Sequence, residues 1–178
     1  MNQARNVAIV GLYEWPKRVD PDVSAMQMKA LSIHRALEDA GLTWSDVDGL
    51  YDANDGEGGG GLGLAPYLGL HPRVIDTTSV GGSSYEFQVA HALRDIAAGR
   101  VNVAVLSYGS KAASQRIPIG TGGPRGAGNW QANMENPYGS TLISNYAMVA
   151  MRHMHQYGTT SEQLAEIAVT TRAHAMRN

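Results

Sequence analysis

The sequence predicts an α/β fold: a mixed, mostly parallel sheet with helices on both faces, followed by a helical loop region. Short apolar runs at 7–11, 49–51, 74–78 and 101–109 alternate with segments of helical periodicity. Their apolarity is continuous, which is typical of strands covered on both faces. The strand–helix–strand order favours parallel pairing through crossover helices.

The first strand is expected at Val7–Gly11, and the first helix follows it. Asp20 or Asp22 is expected to cap that helix, with Pro21 in its first turn. Gly41 should end the helix. The residues expected on its buried face are Met26, Ala30, Ile33 and Leu37.

A glycine-rich segment at 55–63 contains Gly56, Gly58 and Gly61 in the G-x-G-x-x-G spacing. The dinucleotide fingerprint opens the first βαβ unit directly after a strand. The first strand here leads into residues 13–16 instead. We therefore interpret the segment as a mobile loop before a short helix, and not as a dinucleotide site.

The most informative stretch is 72–109, which predicts strand, small-residue turn, helix and strand. The turn is Ser79–Ser84 and the helix is Tyr85–Ala98. Two glycines permit a sharp corner, which would direct Ser79 toward the mouth of a site. The stripe expected to pack on the sheet comprises Val89, Ala90, Leu93, Ile96 and Ala97.

This stretch resembles the thiolase superfamily, whose nucleophilic cysteine opens the helix after the third strand in a Cys-Ser-x-Gly-Ser-like turn. Aligning the turns on Gly82-Ser83 places Ser79 at the cysteine position. "LEDAGLTWSDVDGLY" (37–51) and "YGTTSEQLAEIAV" (157–169) resemble the same superfamily, in its lipid-transfer (sterol-carrier) type. The resemblance covers the N-terminal half of such proteins. It implies a thiolase-like core at 1–110 and a loop or lid region with two helices at 111–178.

Length and composition limit the functional classes. The 178 residues suit one ordinary domain, whereas thiolases are twice as long, so we expect a truncated chain or one half of a two-subunit protein. A net charge of −2 argues against a nucleic-acid partner. Apolar runs are too short for a membrane span, and the N-terminus lacks a signal-peptide pattern, which predicts a cytoplasmic protein. The absence of cysteine excludes disulfides, thiolate zinc sites and thiol catalysis.

Ser79 is the first candidate catalytic residue, as a weak nucleophile that needs a base. The alternative is a polar turn residue that shapes the pocket. The backbone amides of Val80, Gly81, Gly82 and Ser83 are candidate substrate-binding groups, because amides at a helix N-terminus can stabilise a thioester enolate. Water would satisfy the same amides if no substrate binds there.

Other polar residues are weaker candidates. His153 and His155 are two apart on a helix, a poor spacing for one metal, and no metal site is expected. His34 and His91 have no carboxylate partner at a useful spacing. Methionines at 148, 151 and 154 are expected to fill a core or interface, or else an acyl pocket.

The segment 111–138 is rich in glycine and proline and is expected to form a lid. Arg116 and Arg125 could bind a coenzyme A phosphate, with Trp130 beside them, or else they are solvated loop residues. Two helices should follow. Gly158 ends the first, and Thr160 with Gln163 forms a capping box for the second.

The resemblance implies part of an enzyme that acts on carbon–carbon bonds of acyl-CoA thioesters. Without cysteine, retro-aldol cleavage is the leading hypothesis, with the base supplied from outside this half. The alternatives are a non-catalytic acyl-CoA-binding or scaffolding subunit and an acetyl-CoA acetyltransferase-like acyl transfer through Ser79. No cofactor is expected beyond coenzyme A in the substrate. A homodimer, a second-half subunit and an OB-fold/zinc-ribbon partner are the implied protein partners.

Overall fold

The computed structural model describes residues 7–53, 60–116, 134, 136–139 and 141–177. The chain divides into two compact units, Met1–Ile117 and Pro118–Asn178. The first unit contains α1 (Ala25–Ala40), β1 (Gly49–Tyr51), α2 (Gly60–Leu68), β2 (Val74–Asp76), α3 (Ser84–Ala97) and β3 (Ala104–Leu106). The second contains α4 (Leu142–Tyr157) and α5 (Ser161–Ala175). Short 3₁₀ turns lie at Trp44–Asp46 and Asn136–Tyr138.

The sheet has the strand order β2–β1–β3, and both pairs are parallel. Leu50, at the centre of β1, lies opposite Ile75 of β2 and Val105 of β3. The strand–helix–strand interpretation of 72–109 is therefore confirmed, although the two strands are shorter than the apolar runs that predicted them.

Helices cover both faces of the sheet, as predicted. Leu50 is fully buried in a core cluster with α1 and α2 side chains. Tyr51 points to the opposite face, because side chains alternate along a strand. Its hydroxyl donates to Asp95 of α3 at 2.7 Å. Burial, together with this hydrogen bond, raises the pKa of Tyr51.

Helix α1 begins later than predicted. Ser24 caps it: the Ser24 Oγ accepts from the Gln27 amide at 3.1 Å, and the Gln27 side chain accepts from the Ser24 amide. The predicted caps at Asp20 and Asp22 are wrong, and for Asp20 the structure gives the reason. Its side chain is buried and paired with Lys17 at 3.3 Å, so it is engaged before the helix begins. Gly41 ends α1 as predicted.

The strand predicted at Val7–Gly11 is wrong: these residues pair with no strand in the described part of the chain. Ile9 is 87% exposed. The segment is held instead to α1, where the Leu12 amide donates to Asp39 at 3.0 Å. It borders a groove of about 940 Å³ formed with β3, α1 and α3. The apolar side chains of this segment therefore line a groove and do not pack within a β-sheet.

The same groove explains why the predicted α3 stripe is only partly buried. Val89 is 41% exposed and lines the groove together with Leu93. The buried face of α3 is offset from the prediction and is formed by Ser84, Gln88 and Ala92. Because these residues are small or polar, a search for apolar residues at helical spacing selected the neighbouring face of the helix instead.

A buried ion pair joins α1 to the end of β1. Lys29 Nζ lies 2.7 Å from Asp52 Oδ1, and both side chains are at most 1% exposed. Ser107, which follows β3, donates its hydroxyl to Asp52 Oδ2 at 2.5 Å. A Cβ at Gly109 would lie 2.8 Å from the Lys29 side chain, so the chain after β3 needs glycine to pass this close.

Asp48 joins all three strands at their amino ends. Its side chain accepts from the amides of Asn102 and Val103 before β3, both at 2.8 Å. Its carbonyl accepts from the Arg73 amide at 2.8 Å, next to β2. Asp48 itself immediately precedes β1, so one residue aligns the starts of the strands.

The glycine-rich segment is only partly described, because Gly56 and Gly58 lie outside the described residues. Gly61 lies in α2, which begins at Gly60. The loop predicted over 55–63 therefore ends by residue 60, and a helix follows as expected.

The second unit contains the two predicted helices. Gly158 ends α4, and Thr160 with Gln163 forms the predicted capping box of α5. Met148 and Met151 are exposed within this unit, so they do not fill a core there. Their role at an interface or acyl pocket stays a prediction. No helix of the described chain is long and apolar enough to cross a bilayer.

Lys29→Met should lower the free energy of unfolding by about 3–5 kcal/mol, because the Asp52 carboxylate would remain buried without its cation. Urea denaturation measures this. The control is Arg35→Met, which removes the ion pair of Arg35 with Glu38, two side chains that are each about half exposed, and should change stability far less than Lys29→Met. Equal losses in the two variants would contradict the role given to the buried pair.

Asp48→Asn should make the free energy of unfolding less dependent on pH in the acidic range. Burial of Asp48 opposes ionisation, but the hydrogen bonds from Val103 and Asn102 prevail and hold its pKa below the usual value. A lowered folded-state pKa stabilises the fold above the unfolded pKa of about 3.9, and this stabilisation is lost as pH falls through the folded pKa.

The variant should therefore be less stable than the wild type at pH 7 by about 1 kcal/mol, because solvent screens this partly exposed carboxylate. The difference should narrow in urea titrations below about pH 4. A difference that stays constant with pH would show that the Asp48 charge contributes nothing.

Candidate functional site

The predicted turn, Ser79–Ser84, lies between β2 and α3. Its first five residues, 79–83, form an exposed corner, whereas Ser84 is buried and is already the first residue of α3. Gly81 has a φ of 80°, in the left-handed region that favours glycine. A Cβ at Gly82 would meet nothing within 4 Å. The corner is therefore open to an approaching ligand and is not sealed beneath side chains.

Ser84, the first residue of α3, holds the corner in shape by hydrogen bonds to its backbone. Its hydroxyl accepts from the Val80 amide at 2.9 Å and donates to the Gly81 carbonyl at 2.5 Å. The Ser84 amide also donates to the Gly81 carbonyl at 3.0 Å. The amides of Gly81, Gly82 and Ser83 stand outside this hydrogen-bonded ring, at the positive end of the helix dipole.

One of the four predicted amides already has a partner, because the Val80 amide donates to Ser84. Gly81, Gly82 and Ser83 are exposed residues. Donors fixed at a helix N-terminus can stabilise an oxygen that gains negative charge. The structure leaves the binding roles of all four residues as predictions.

Ser79 is exposed at the start of the corner. Within the described part of the chain, no histidine or carboxylate forms a hydrogen bond with it. A serine without a base is a poor nucleophile at neutral pH. Its local surroundings do not identify an activated nucleophile, and a role in shaping a pocket stays a prediction.

The structure brings together a polar cluster that we did not predict. Asp76, the last residue of β2, contacts His91 of α3: Oδ2 lies 2.5 Å from Nδ1. The other oxygen, Oδ1, accepts from the Thr78 amide at 2.7 Å. Burial opposes ionisation of Asp76, but these hydrogen bonds from Thr78 and His91 hold its pKa below the usual value.

The expectation that His34 and His91 lack carboxylate partners is therefore wrong. His91 pairs across elements, which spacing along one helix cannot reveal. His34 lies 3.4 Å from Glu38, four residues on in the same helix, a spacing that was visible in the sequence. The Asp76–His91 contact could have been anticipated from the fold, because a strand end and the following crossover helix are adjacent.

The remaining candidates are not brought to the corner by the described structure. Arg116 is exposed in a turn of the first unit, with a φ of 54°. Arg125 and Trp130 lie outside the described residues. His153 Nδ1 forms a hydrogen bond with Thr159 Oγ1 at 3.0 Å. Among the described residues, no cluster of three or more histidine and acidic side chains could hold a metal ion.

Comparisons with known proteins identify relatives of this architecture. The chain is 28% identical to an acetyl-CoA acetyltransferase of Methanothermobacter thermautotrophicus, over 98% of this chain and 46% of the relative. It is 29% identical to a steroid side-chain-cleaving aldolase of Thermomonospora curvata, with the same two coverages. The chain is therefore similar in sequence both to a thiolase-type acetyltransferase and to a thiolase-like aldolase. No protein-family profile matches it.

A solved structure supports the same relationship. The Ltp2–ChsH2(DUF35) aldolase matches 88% of this chain and 40% of its own chain, with a TM-score of 0.72 and 28% identity. The thiolase-like fold expected from the corner and the two quoted segments is thus confirmed. The chain spans about half the length of the curated relatives that it matches.

Two neighbouring glycines of the corner should respond differently to a methyl group. Gly81→Ala should lower the free energy of unfolding by about 1–2 kcal/mol, because an L-residue is strained at positive φ. Gly82→Ala should change it by less than about 0.5 kcal/mol, because its Cβ would face open space. Urea denaturation of both variants measures this. Equal destabilisation would contradict the described corner.

Proposed function

We propose that this chain is part of a thiolase-like enzyme that cleaves a carbon–carbon bond of an acyl-CoA thioester by a retro-aldol reaction. The observation that carries the proposal is the open corner at Gly81–Ser83, where exposed glycine backbone meets the N-terminus of α3. The relatives include both an acetyltransferase and an aldolase. The absence of cysteine favours the reaction that forms no covalent acyl-enzyme.

The chemistry assigns one task to this corner. In a β-hydroxyacyl-CoA, a base takes the hydroxyl proton and the bond between C2 and C3 breaks. Its electrons enter the thioester as an enolate, and C2 is then protonated. The products are a carbonyl compound and a shorter acyl-CoA. The amides of Gly81, Gly82 and Ser83 would stabilise the enolate oxygen. The base would come from residues outside this sequence.

The proposal includes partners and further contacts. β2 is an edge strand of the described sheet, which suits pairing with its twin in a homodimer. A second-half subunit, or an OB-fold/zinc-ribbon partner, would supply the missing groups, since the similar aldolase structure pairs Ltp2 with a DUF35 protein. Arg116 and Arg125 would bind the coenzyme A phosphates, with Trp130 beside them. We place the assembly in the cytoplasm as a lipid-transfer type protein.

The test uses protein isolated from its native host through a tag on this chain, so that its partners are retained. A series of β-hydroxyacyl-CoA esters is supplied, and mass spectrometry measures the carbonyl product and the shorter acyl-CoA. Ser79→Ala should retain cleavage. Gly82→Val should lower kcat/KM by about 100-fold or more, because the added bulk stands where the oxygen must approach.

Ala90→Val is the matched control, because it adds the same kind of bulk on an exposed position of α3. It should leave kcat/KM unchanged. No cleavage of any ester by the wild-type assembly would overturn the retro-aldol proposal. Cleavage that survives Gly82→Val would remove the corner from the mechanism.

A non-catalytic acyl-CoA-binding or scaffolding subunit is the second candidate. It is favoured by an exposed Ser79 with no base among its described neighbours. It predicts binding of acetyl-CoA to the assembly without turnover. Acyl transfer through Ser79, the third hypothesis, predicts an acyl-serine adduct in the mass spectrum. Such an adduct would be lost in Ser79→Ala.

A further inference from the structure

Thr78, the residue immediately before the corner, is held at both of its backbone groups. Its amide donates to Asp76 Oδ1 at 2.7 Å. Its carbonyl accepts from Gln88 Nε2 at 3.2 Å. Asp76 Oδ2 lies 2.5 Å from His91 Nδ1. Gln88 and His91 are three residues apart on α3, so one face of that helix holds the chain as it leaves β2.

Little of this cluster reaches water. Gln88 is fully buried, and the side chains of Asp76 and His91 are 15% and 25% exposed. An ionised carboxylate only accepts hydrogen bonds, so His91 must donate through Nδ1, which sets its tautomer when neutral. Partly buried hydrogen bonds to a charged group are stronger than neutral ones and hold their partners more firmly.

Resting on the proposed function, we propose that His91 is a positioning residue for the corner. Through Asp76 it fixes the Thr78 backbone, and this fixes the direction in which Ser79–Ser83 leaves the strand. Amides stabilise a developing oxyanion only when they are held in place before the reaction. A displacement of about 1 Å in such a site can cost about 100-fold in rate.

Direct proton transfer by His91 is a different role, and the distance along the helix argues against it. His91 lies seven residues after Ser84, which corresponds to about 10 Å of helix rise. A thioester oxygen at the corner would be bound at the start of α3. His91 therefore acts through Asp76 and Thr78 rather than on the reacting atoms.

The test compares two substitutions in the tagged native assembly. His91→Leu removes the donor to Asp76, whereas His91→Asn keeps a nitrogen donor at the δ position. We expect His91→Leu to lower kcat at least 10-fold with KM changed by less than about twofold, as fits an interaction important mainly in the transition state. His91→Asn should recover most of the lost kcat.

His34→Leu is the matched control. His34 also lies within 3.4 Å of a carboxylate on a helix, but it is on α1, away from the corner. It should leave kcat unchanged. A folded His91→Leu protein with wild-type kcat would overturn the proposal, and so would an Asn variant as slow as the Leu variant.

A second measurement does not depend on turnover. In the peptide covering 77–83, hydrogen–deuterium exchange of the hydrogen-bonded amides of Thr78 and Val80 should be at least 10-fold faster in His91→Leu than in the wild type, and near wild type in His91→Asn. Unchanged exchange would overturn the proposal even if kcat fell. Faster exchange in an assembly that cleaves no ester would support the positioning role and refute the retro-aldol function.

Discussion

The buried ion pair between Lys29 and Asp52 is the constraint on which the first unit depends. Two charges removed from water are tolerated only if each meets the other, with further hydrogen bonds from neighbouring groups. Ser107 supplies such a bond from the end of β3, and the Asp52 amide donates to the Asp76 carbonyl at the end of β2. Asp52 thereby joins the carboxyl ends of all three strands. The corner leaves the sheet from this same edge.

Asp48 does the corresponding work at the amino ends of the strands. Because both ends of the sheet are fixed, the backbone leaves β2 in one direction. The hydrogen bonds of Thr78 then hold this direction as far as Ser79. The glycines then bring the backbone to the helix N-terminus, with their open sides facing solvent. The candidate site is thus made of backbone groups, which a thiolase-like fold can present without a cysteine.

The sequence correctly predicted the features that depend on residues adjacent in the chain, such as helix ends and caps. Gly41, Gly158 and the Thr160 capping box have local causes and were correct, as was the order of elements around the corner. The strand at 7–11 failed because continuous apolarity does not by itself establish burial, and Ile9 in this segment is 87% exposed.

The clusters at Lys29–Asp52 and Asp76–His91 were not predicted because their partners lie 23 and 15 residues apart, on different elements. Only the fold brings them together. The most direct test of the central claim is a crystal structure of the native assembly with bound acetyl-CoA. The account predicts the thioester oxygen within about 3.1 Å of the amides of Gly81, Gly82 or Ser83. A thioester oxygen bound elsewhere, with the corner filled by water, would contradict it.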